Sequence, residues 1–353
     1  MLDYAKIRKD LECANPLIFF HDDPDGLSSF LLIHRYLKKG LGIVVKSQPK
    51  VDQRFVHKIE EIKPDKVIIL DLAIVEDEFL QHLDCPVIWI DHHQPQEPRG
   101  THYYNPRLKG KNIPVSLICY NVVKQDLWIA VTGIVADWHY APLVRNYSKK
   151  NPSLIPPHFK DPGQLLFDSQ IGKLARIFSF ILKGPTDEAL KCVRILTRIE
   201  SAEEILERLT PKGNYIYKRF ELIEKGYHKL LSEAVSHVSE DRFVVFTYDD
   251  AKISFTGDLS NELLYRFPGK VIVIGRIKSG EVKCSFRGPK ILAHLQSALV
   301  GIKGYGGGHE EACGGTVAQG DFSKFIQNLR QSYNLVGGSA QEQHMSPDIQ
   351  KEN

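Results

Sequence analysis

A chain of 353 residues is longer than one hydrophobic core usually organises, so two domains of ordinary size are expected. Apolar residues at 42% and charged residues at 25% match average globular composition and exclude a wholly disordered or fibrous protein. With 46 basic against 43 acidic side chains the net charge is only +3, so a polyanion must be gripped in a local cleft rather than drawn in by a global field.

The opening Met1-Leu2-Asp3-Tyr4-Ala5-Lys6 lacks the charged-then-apolar pattern of a secretory signal. No apolar run approaches the roughly 18 residues of a membrane span. A cytoplasmic protein without membrane contact is expected. Cys13, Cys85, Cys119, Cys192, Cys284 and Cys313 are scattered and form no C-x-x-C pair, which points to reduced thiols rather than a zinc site.

In chain order, apolar runs at Leu17–Phe20, Ile43–Val45, Val67–Leu70 and Val87–Ile90 are continuous rather than alternating. They predict strands buried on both faces of a parallel sheet. Amphipathic stretches, Ser28–Lys39 and Val51–Ile62, lie between them, with Pro64 and Pro86 as stops before the next strand. This β-α repeat predicts an α/β fold whose N-terminal domain, residues 1–186, is an open, mostly parallel sheet with helices on both faces. Residues 187–240 read as a charged helical linker. Strands at Phe243–Phe246, Val271–Ile274 and Val282–Phe286, then helices at Pro289–Val300 and Phe322–Tyr333, predict a smaller C-terminal α+β domain over 241–335. The polar tail, 336–353, has too few apolar residues for a core and is expected to be disordered.

Three of the apolar strands run directly into acids or imidazoles. Phe20 is followed by His21-Asp22-Asp23-Pro24-Asp25-Gly26, Leu70 by Asp71, and Ile90 by Asp91-His92-His93. In an open parallel sheet the carboxyl ends of the strands share one edge, where ligands bind, so these groups can converge. Carboxylates placed together repel and raise one another's pKa unless a cation joins them. Carboxylate mixed with imidazole suits Mn²⁺ or a similar first-row ion. Two ions about 3.5–4 Å apart would activate water for in-line displacement at phosphorus. Taken alone, His21 to Gly26 reads equally well as an Asx-rich turn capping the next helix. The acid with two adjacent histidines after a buried strand has no packing rationale.

These residues carry a resemblance to the DHH phosphoesterase superfamily, which includes RecJ-like exonucleases, oligoribonucleases and cyclic-dinucleotide phosphodiesterases. His21 to Gly26 resembles its first motif, Asp71 the second, Asp91-His92-His93 the third, and Gly133-Ile134-Val135-Ala136-Asp137 the fourth. The resemblance implies that His21 and Asp23 bind one metal, that Asp25, His92 and Asp137 bind the other, and that Asp71 bridges them. It also implies that His93 faces the scissile phosphate while Asp91 orients an imidazole. One departure is Trp138, where relatives commonly carry a small hydroxyl residue.

The C-terminal block resembles the DHH-associated domain through Gly306-Gly307-Gly308-His309, followed by Ala312 and Gly314-Gly315. Glycines there would let the backbone approach a phosphate, and Arg287, leaving a strand, suits bidentate phosphate binding. In the family both elements grip substrate in the interdomain cleft. The pyrophosphatase branch has a different C-terminal domain, so this signature argues against that activity. Tyr104-Asn105-Pro106 resembles a family turn, yet Asn-Pro is also an ordinary turn dipeptide.

The resemblance implies a hydrolase with two Mn²⁺ ions, or Mg²⁺ or Co²⁺ in their place, acting as an exonuclease on single-stranded or short RNA and DNA. The compact two-domain size is similar to archaeal RecJ-like proteins, so replication or repair proteins are candidate partners, as is a second copy in a homodimer. Hydrolysis of cyclic dinucleotides or bisphosphorylated nucleotides is the alternative. An inactive replication scaffold is a weaker reading, because every ligand is present.

Overall fold

The structure is a computed structural model that describes residues 2–46, 50–249 and 253–337. It divides into two compact units, Met1–Lys225 and Gly226–Asn353.

The first unit begins α1 (Tyr4–Asp10), β1 (Pro16–His21), α2 (Pro24–Leu37), β2 (Leu41–Val45), β3 (Lys50–Val51), α3 (Val56–Ile62), β4 (Lys66–Leu70) and β5 (Ile74–Val75). It continues through α4 (Asp77–Leu80), β6 (Val87–Ile90), β7 (Thr101–Tyr104), α5 (Val115–Val123), α6 (Leu127–Ala136), α7 (Pro142–Lys150) and α8 (Pro162–Asp168). The helices α9 (Gln170–Ile181), α10 (Thr186–Leu196), α11 (Ala202–Leu206) and α12 (Pro211–Ser236) follow, and the division between units falls within α12.

The main sheet has the order β2-β1-β4-β6-β7 and every neighbouring pair in it is parallel. Its central strands β1, β4 and β6 are buried on both faces, as their continuous apolar runs require. Leu17, Phe19, Val67, Ile69, Val87 and Trp89 point to one face, where Phe79 and residues of α3 join the core. On the alternate residues, Phe20 stacks on Phe30 of α2 with ring centroids 4.5 Å apart. Helix α2 packs with α5 and α6, while α3 and α4 lie over the opposite face, giving the helix-covered α/β sheet expected.

Boundaries differ from the sequence reading where polar chemistry overrides apolar spacing. Helix α2 starts at Pro24 rather than Ser28, because Asp23 caps it and proline suits its first position. The Val51–Ile62 stretch is not one amphipathic helix: it holds β3, a 3₁₀ turn at Gln53–Phe55 capped by Asp52, and α3. The half-exposed edge strand β7 lacks an apolar run and gives no strand signal in the sequence.

The second unit comprises β8 (Phe243–Asp249), α13 (Thr256–Arg266), β9 (Val271–Lys278), β10 (Glu281–Arg287), α14 (Ile291–Ala298), β11 (Gly304–Gly308), β12 (Ala312–Ala318) and α15 (Phe322–Gly337). Its mixed sheet has the order β11-β12-β10-β9-β8, with only the β8–β9 pair parallel. Val271, Val273, Phe286, Leu295, Phe325 and Leu329 form its core. The glycine-rich run, whose backbone is expected to approach a phosphate, is the edge strand β11. Beyond 337 the expected disordered tail lies outside the described residues. Among the described residues no helix is long and apolar enough to cross a membrane.

Candidate metal centre

The sheet register decides which side chains meet. Phe20 pairs with Leu70, and Leu70 pairs with Ile90, so His21, Asp71 and Asp91 leave three adjacent parallel strands at one edge. The first motif then turns at once into α2. Asp23 Oδ1 accepts the Gly26 N–H (2.8 Å), and its other oxygen lies 2.7 Å from His21 Nδ1. One carboxylate therefore caps α2 and also lies beside His21. A side chain at Gly26 would place its Cβ 2.6 Å from His21 O, so only glycine lets the first turn of α2 lie against β1.

Asp25, one residue into that turn, is buried. It accepts the Val115 N–H (2.8 Å), the Ser116 N–H (3.0 Å) and the Ser116 hydroxyl, so the amino end of α5 holds it. Asp137 arrives from the end of α6, and Gly133 permits that approach. A Cβ at Gly133 would lie 2.6 Å from Ser116 Oγ and 2.8 Å from Ser28 Cβ.

Asp71 occupies the centre. It is 1% exposed, sits at φ 58°, and neither of its carboxylate oxygens has a hydrogen-bond donor among the described residues. Its Oδ2 lies 3.8 Å from His21 Nδ1, while Oδ1 lies 3.4 Å from His92 Nε2 and 3.9 Å from His93 Nδ1. His92 Nδ1 is 3.7 Å from Asp137 Oδ2. Three groups with ligand atoms within 4.8 Å result: His21–Asp23–Asp71, Asp71–His92–His93 and Asp25–His92–Asp137.

The electrostatics without a cation are unfavourable. Burial would raise the Asp71 carboxyl, yet His21 and His92 hold it far below the usual carboxylate range. Burial and then the Asp71 charge push Asp25 up to about 7. Burial, against the opposing His92, raises Asp137 well above its ordinary value with Asp25 and Asp71 contributing. His92 goes up to about 10, because Asp71, Asp137 and Asp25 together outweigh the burial that disfavours its charge. Protons occupy places that suit cations: the buried Asp71 carboxylate is ionised only because charged His21 and His92 face it. The donor set of three imidazoles and four carboxylates across these groups fits first-row divalent ions.

Beside the cluster, Asp91 is fully buried and braces His93. Asp91 Oδ1 lies 2.7 Å from His93 Nδ1, and Oδ2 accepts the His93 N–H (3.0 Å). Asn105, also buried, donates from Nδ2 to Asp91 Oδ2 (3.3 Å), His93 O (2.9 Å) and Tyr103 Oη (2.7 Å). Sequence reasoning takes Asn105 for a turn residue, and Ser116 and Gly133 give no signal of their own contacts. Only the third dimension distinguishes an Asn that caps a turn from one that also grips an aspartate.

In the second unit, Arg287 pairs with Ala312, and Cys313 of the same strand pairs with Gly308, so these positions align across β10, β12 and β11. The arginine is tied to its own unit. Its Nε donates to Asn261 Oδ1 (2.7 Å) and its Nη1 to Ser285 Oγ (2.9 Å) and Phe286 O (2.8 Å), and burial lowers the guanidinium to about 10. A Cβ at Gly306 would crowd Leu295 Cδ2 at 2.9 Å and Gly314 O at 3.1 Å, whereas a Cβ at Gly307 would face open space. His309 is exposed in the turn joining β11 to β12.

Residues 15–152 match the DHH family, N-terminal domain, and residues 240–334 match the DHHA1 domain. The chain belongs to the DHH superfamily of phosphoesterases and carries the DHHA1 domain on its C-terminal side. Among solved structures it resembles RecJ of Thermus thermophilus in complex with Mn²⁺, with a TM-score of 0.68, 16% identity, and 94% of this chain and 54% of that one covered. A manganese-bound exonuclease RecJ gives a TM-score of 0.62 at 16% identity over 94% and 93% of the two chains. A pGpG-specific phosphodiesterase from Vibrio cholerae gives 0.51 at 14% over 91% and 99%. At such identities the likeness is one of fold, and the chain spans about half the length of the Thermus RecJ. No curated protein sequence matches the chain.

Proposed function

We propose that this protein is a two-metal phosphodiesterase that shortens single-stranded or short RNA and DNA to mononucleotides. The observation that carries the reading is Asp71: a buried carboxylate without a hydrogen-bond donor among the described residues, offering one oxygen towards His21 and the other towards His92. His21 and Asp23 would hold one ion, Asp25, His92 and Asp137 the other, and Asp71 would serve both. Bound there, two Mn²⁺ ions, or Mg²⁺ or Co²⁺ in their place, would supply an activated water and charge neutralisation at phosphorus.

The remaining work falls to the protein. Asp91, steadied by Asn105, fixes the His93 ring, so that one ring nitrogen stays free to face a phosphate oxygen and hold or give a proton there. Asp25 stays in place because the first turn of α5 holds it. In the second unit, Arg287, His309 and the open backbone at Gly306, Gly307 and Gly308 would bind the phosphates of a chain end. Support for a nucleotide substrate comes from the folds that this chain shares with an exonuclease and with a pGpG-specific phosphodiesterase. The latter also favours very short linear substrates. The second reading, hydrolysis of cyclic dinucleotides or bisphosphorylated nucleotides, would use the same cluster of ligands.

Digestion of end-labelled short RNA and DNA with Mn²⁺ or Mg²⁺ tests the proposal. A ladder descending to mononucleotides is expected, with closed single-stranded circles left intact. Hydrolysis of a cyclic dinucleotide with no action on linear oligomers would favour the second reading, and no hydrolysis of either would reject the phosphodiesterase.

A further inference from the structure

Helix α6 ends, just after Asp137, in a conformation that its own sequence makes unfavourable. The Trp138 N–H reaches Val135 O (3.2 Å) and the His139 N–H reaches Ile134 O (3.1 Å), the paired bonds that close a helix around a left-handed residue. That residue is Trp138, at φ 53°. Glycine takes this conformation without strain, whereas a bulky side chain there is an outlier. The indole lies edge-on to Phe167 with ring centroids 5.9 Å apart. Two residues on, Tyr140 packs edge-on to Phe159 at 5.5 Å, with the Arg145 guanidinium 5.2 Å from its ring.

Both polar tips in this aromatic group, Trp138 Nε1 and Tyr140 Oη, are buried without a hydrogen-bond partner among the described residues. Buried indole and phenol groups ordinarily find one. Helix termination does not ask for this arrangement, since glycine would end the helix at lower cost and would remove the orphaned indole donor. Strain kept beside a ligand carboxylate points to a functional use of the side chain.

We propose that Trp138, with Tyr140 beside it, is a specificity-determining platform that stacks the nucleobase of a nucleotide whose phosphate lies at the cluster of His21, Asp71 and Asp137. The inference rests on the phosphodiesterase reading of that cluster and adds a base-binding subsite to it. An aromatic face accepts any base, and the two unpartnered donors give ring nitrogens and carbonyls of the base something to bond.

Calorimetric titration of the Mn²⁺-loaded full chain with adenosine 5′-monophosphate and with ribose 5-phosphate separates base from phosphate. The wild type should bind the nucleotide roughly tenfold more tightly than the baseless sugar phosphate. Trp138→Gly should bring the two affinities within about twofold, while Trp138→Phe, which keeps a ring, should retain most of the preference. Trp138→Gly relieves the backbone strain but gives up the contact with Phe167, so both variants are titrated below their own melting temperatures, and Trp138→Phe, which keeps a packed ring, serves as the folded control. Equal affinities in the wild type, or an undiminished preference in Trp138→Gly, would overturn the platform and leave the phosphate site standing. Failure of the wild type to bind either compound would bring down the phosphodiesterase reading, and the platform with it.

Discussion

Asp25 and His92 both depart far from ordinary titration, and in the same direction. His92, raised from 6.5 to about 10, favours the metal-free fold fully below pH 6.5 and loses that contribution as pH rises through about 10. Asp25, raised from 3.8 to about 7, favours the fold below 3.8 and loses its contribution as pH climbs through about 7. Both slopes run the same way. The metal-free protein should therefore melt at a lower temperature at about pH 9 than at about pH 6, and Mn²⁺ should remove most of that fall by taking the place of the protons. A metal-free Tm that rises across this range would show that the cluster is not held as described.

Asn105 gives a second expectation at the same scale. It touches no proposed metal ligand, but it grips the carboxylate that orients His93. Asn105→Ala should lower kcat on a short oligonucleotide on the order of 10–100-fold while KM stays near wild type, as loss of an orienting partner does. An unchanged kcat would remove Asn105 from the machinery.

At the scale of elements, the site depends on how closely α2, α5 and α6 approach. Gly133 sets that distance: Gly133→Ala would press a methyl against Ser116 and Ser28, where the gaps are 2.6–2.8 Å. Overpacking of this kind costs about 1–3 kcal/mol, which urea unfolding would register, and it should weaken Mn²⁺ binding because Asp25 and Asp137 hang from the displaced helices. Wild-type stability and Mn²⁺ affinity in this variant would contradict the close packing.

The elements also show what a sequence can reveal. Leu17–Phe20, Val67–Leu70 and Val87–Ile90 are legible because strands buried on both faces must be apolar throughout, and the acids that follow them are legible because such runs rarely end so. Strand β7 is not, since an edge strand needs no apolar run. Neither is β11: glycines suggest loops, and only pairing with β12 reveals that Gly306 is a strand residue packed against Leu295. The partners of Asp25 and Asp91 stay hidden for a related reason. Ser116 and Asn105 are ordinary polar residues until the chain brings them 91 and 14 positions back to a carboxylate.

Across the whole molecule one geometric fact matters most: three parallel strands deliver His21, Asp71 and Asp91 to one sheet edge, and two helices bring Asp25 and Asp137 to the same place. A net charge of +3 gives little long-range pull, so under the proposed function turnover rests on what this cluster binds. Asp71→Asn tests that dependence with little disturbance to the fold, because asparagine accepts the left-handed backbone that Asp71 adopts at φ 58°. The decisive measurement is the rate of mononucleotide release from a short single strand at saturating Mn²⁺, wild type beside Asp71→Asn. A loss of about 10³-fold or more, in a variant that still unfolds cooperatively, is the expected result. Near wild-type turnover in Asp71→Asn would contradict the two-metal centre.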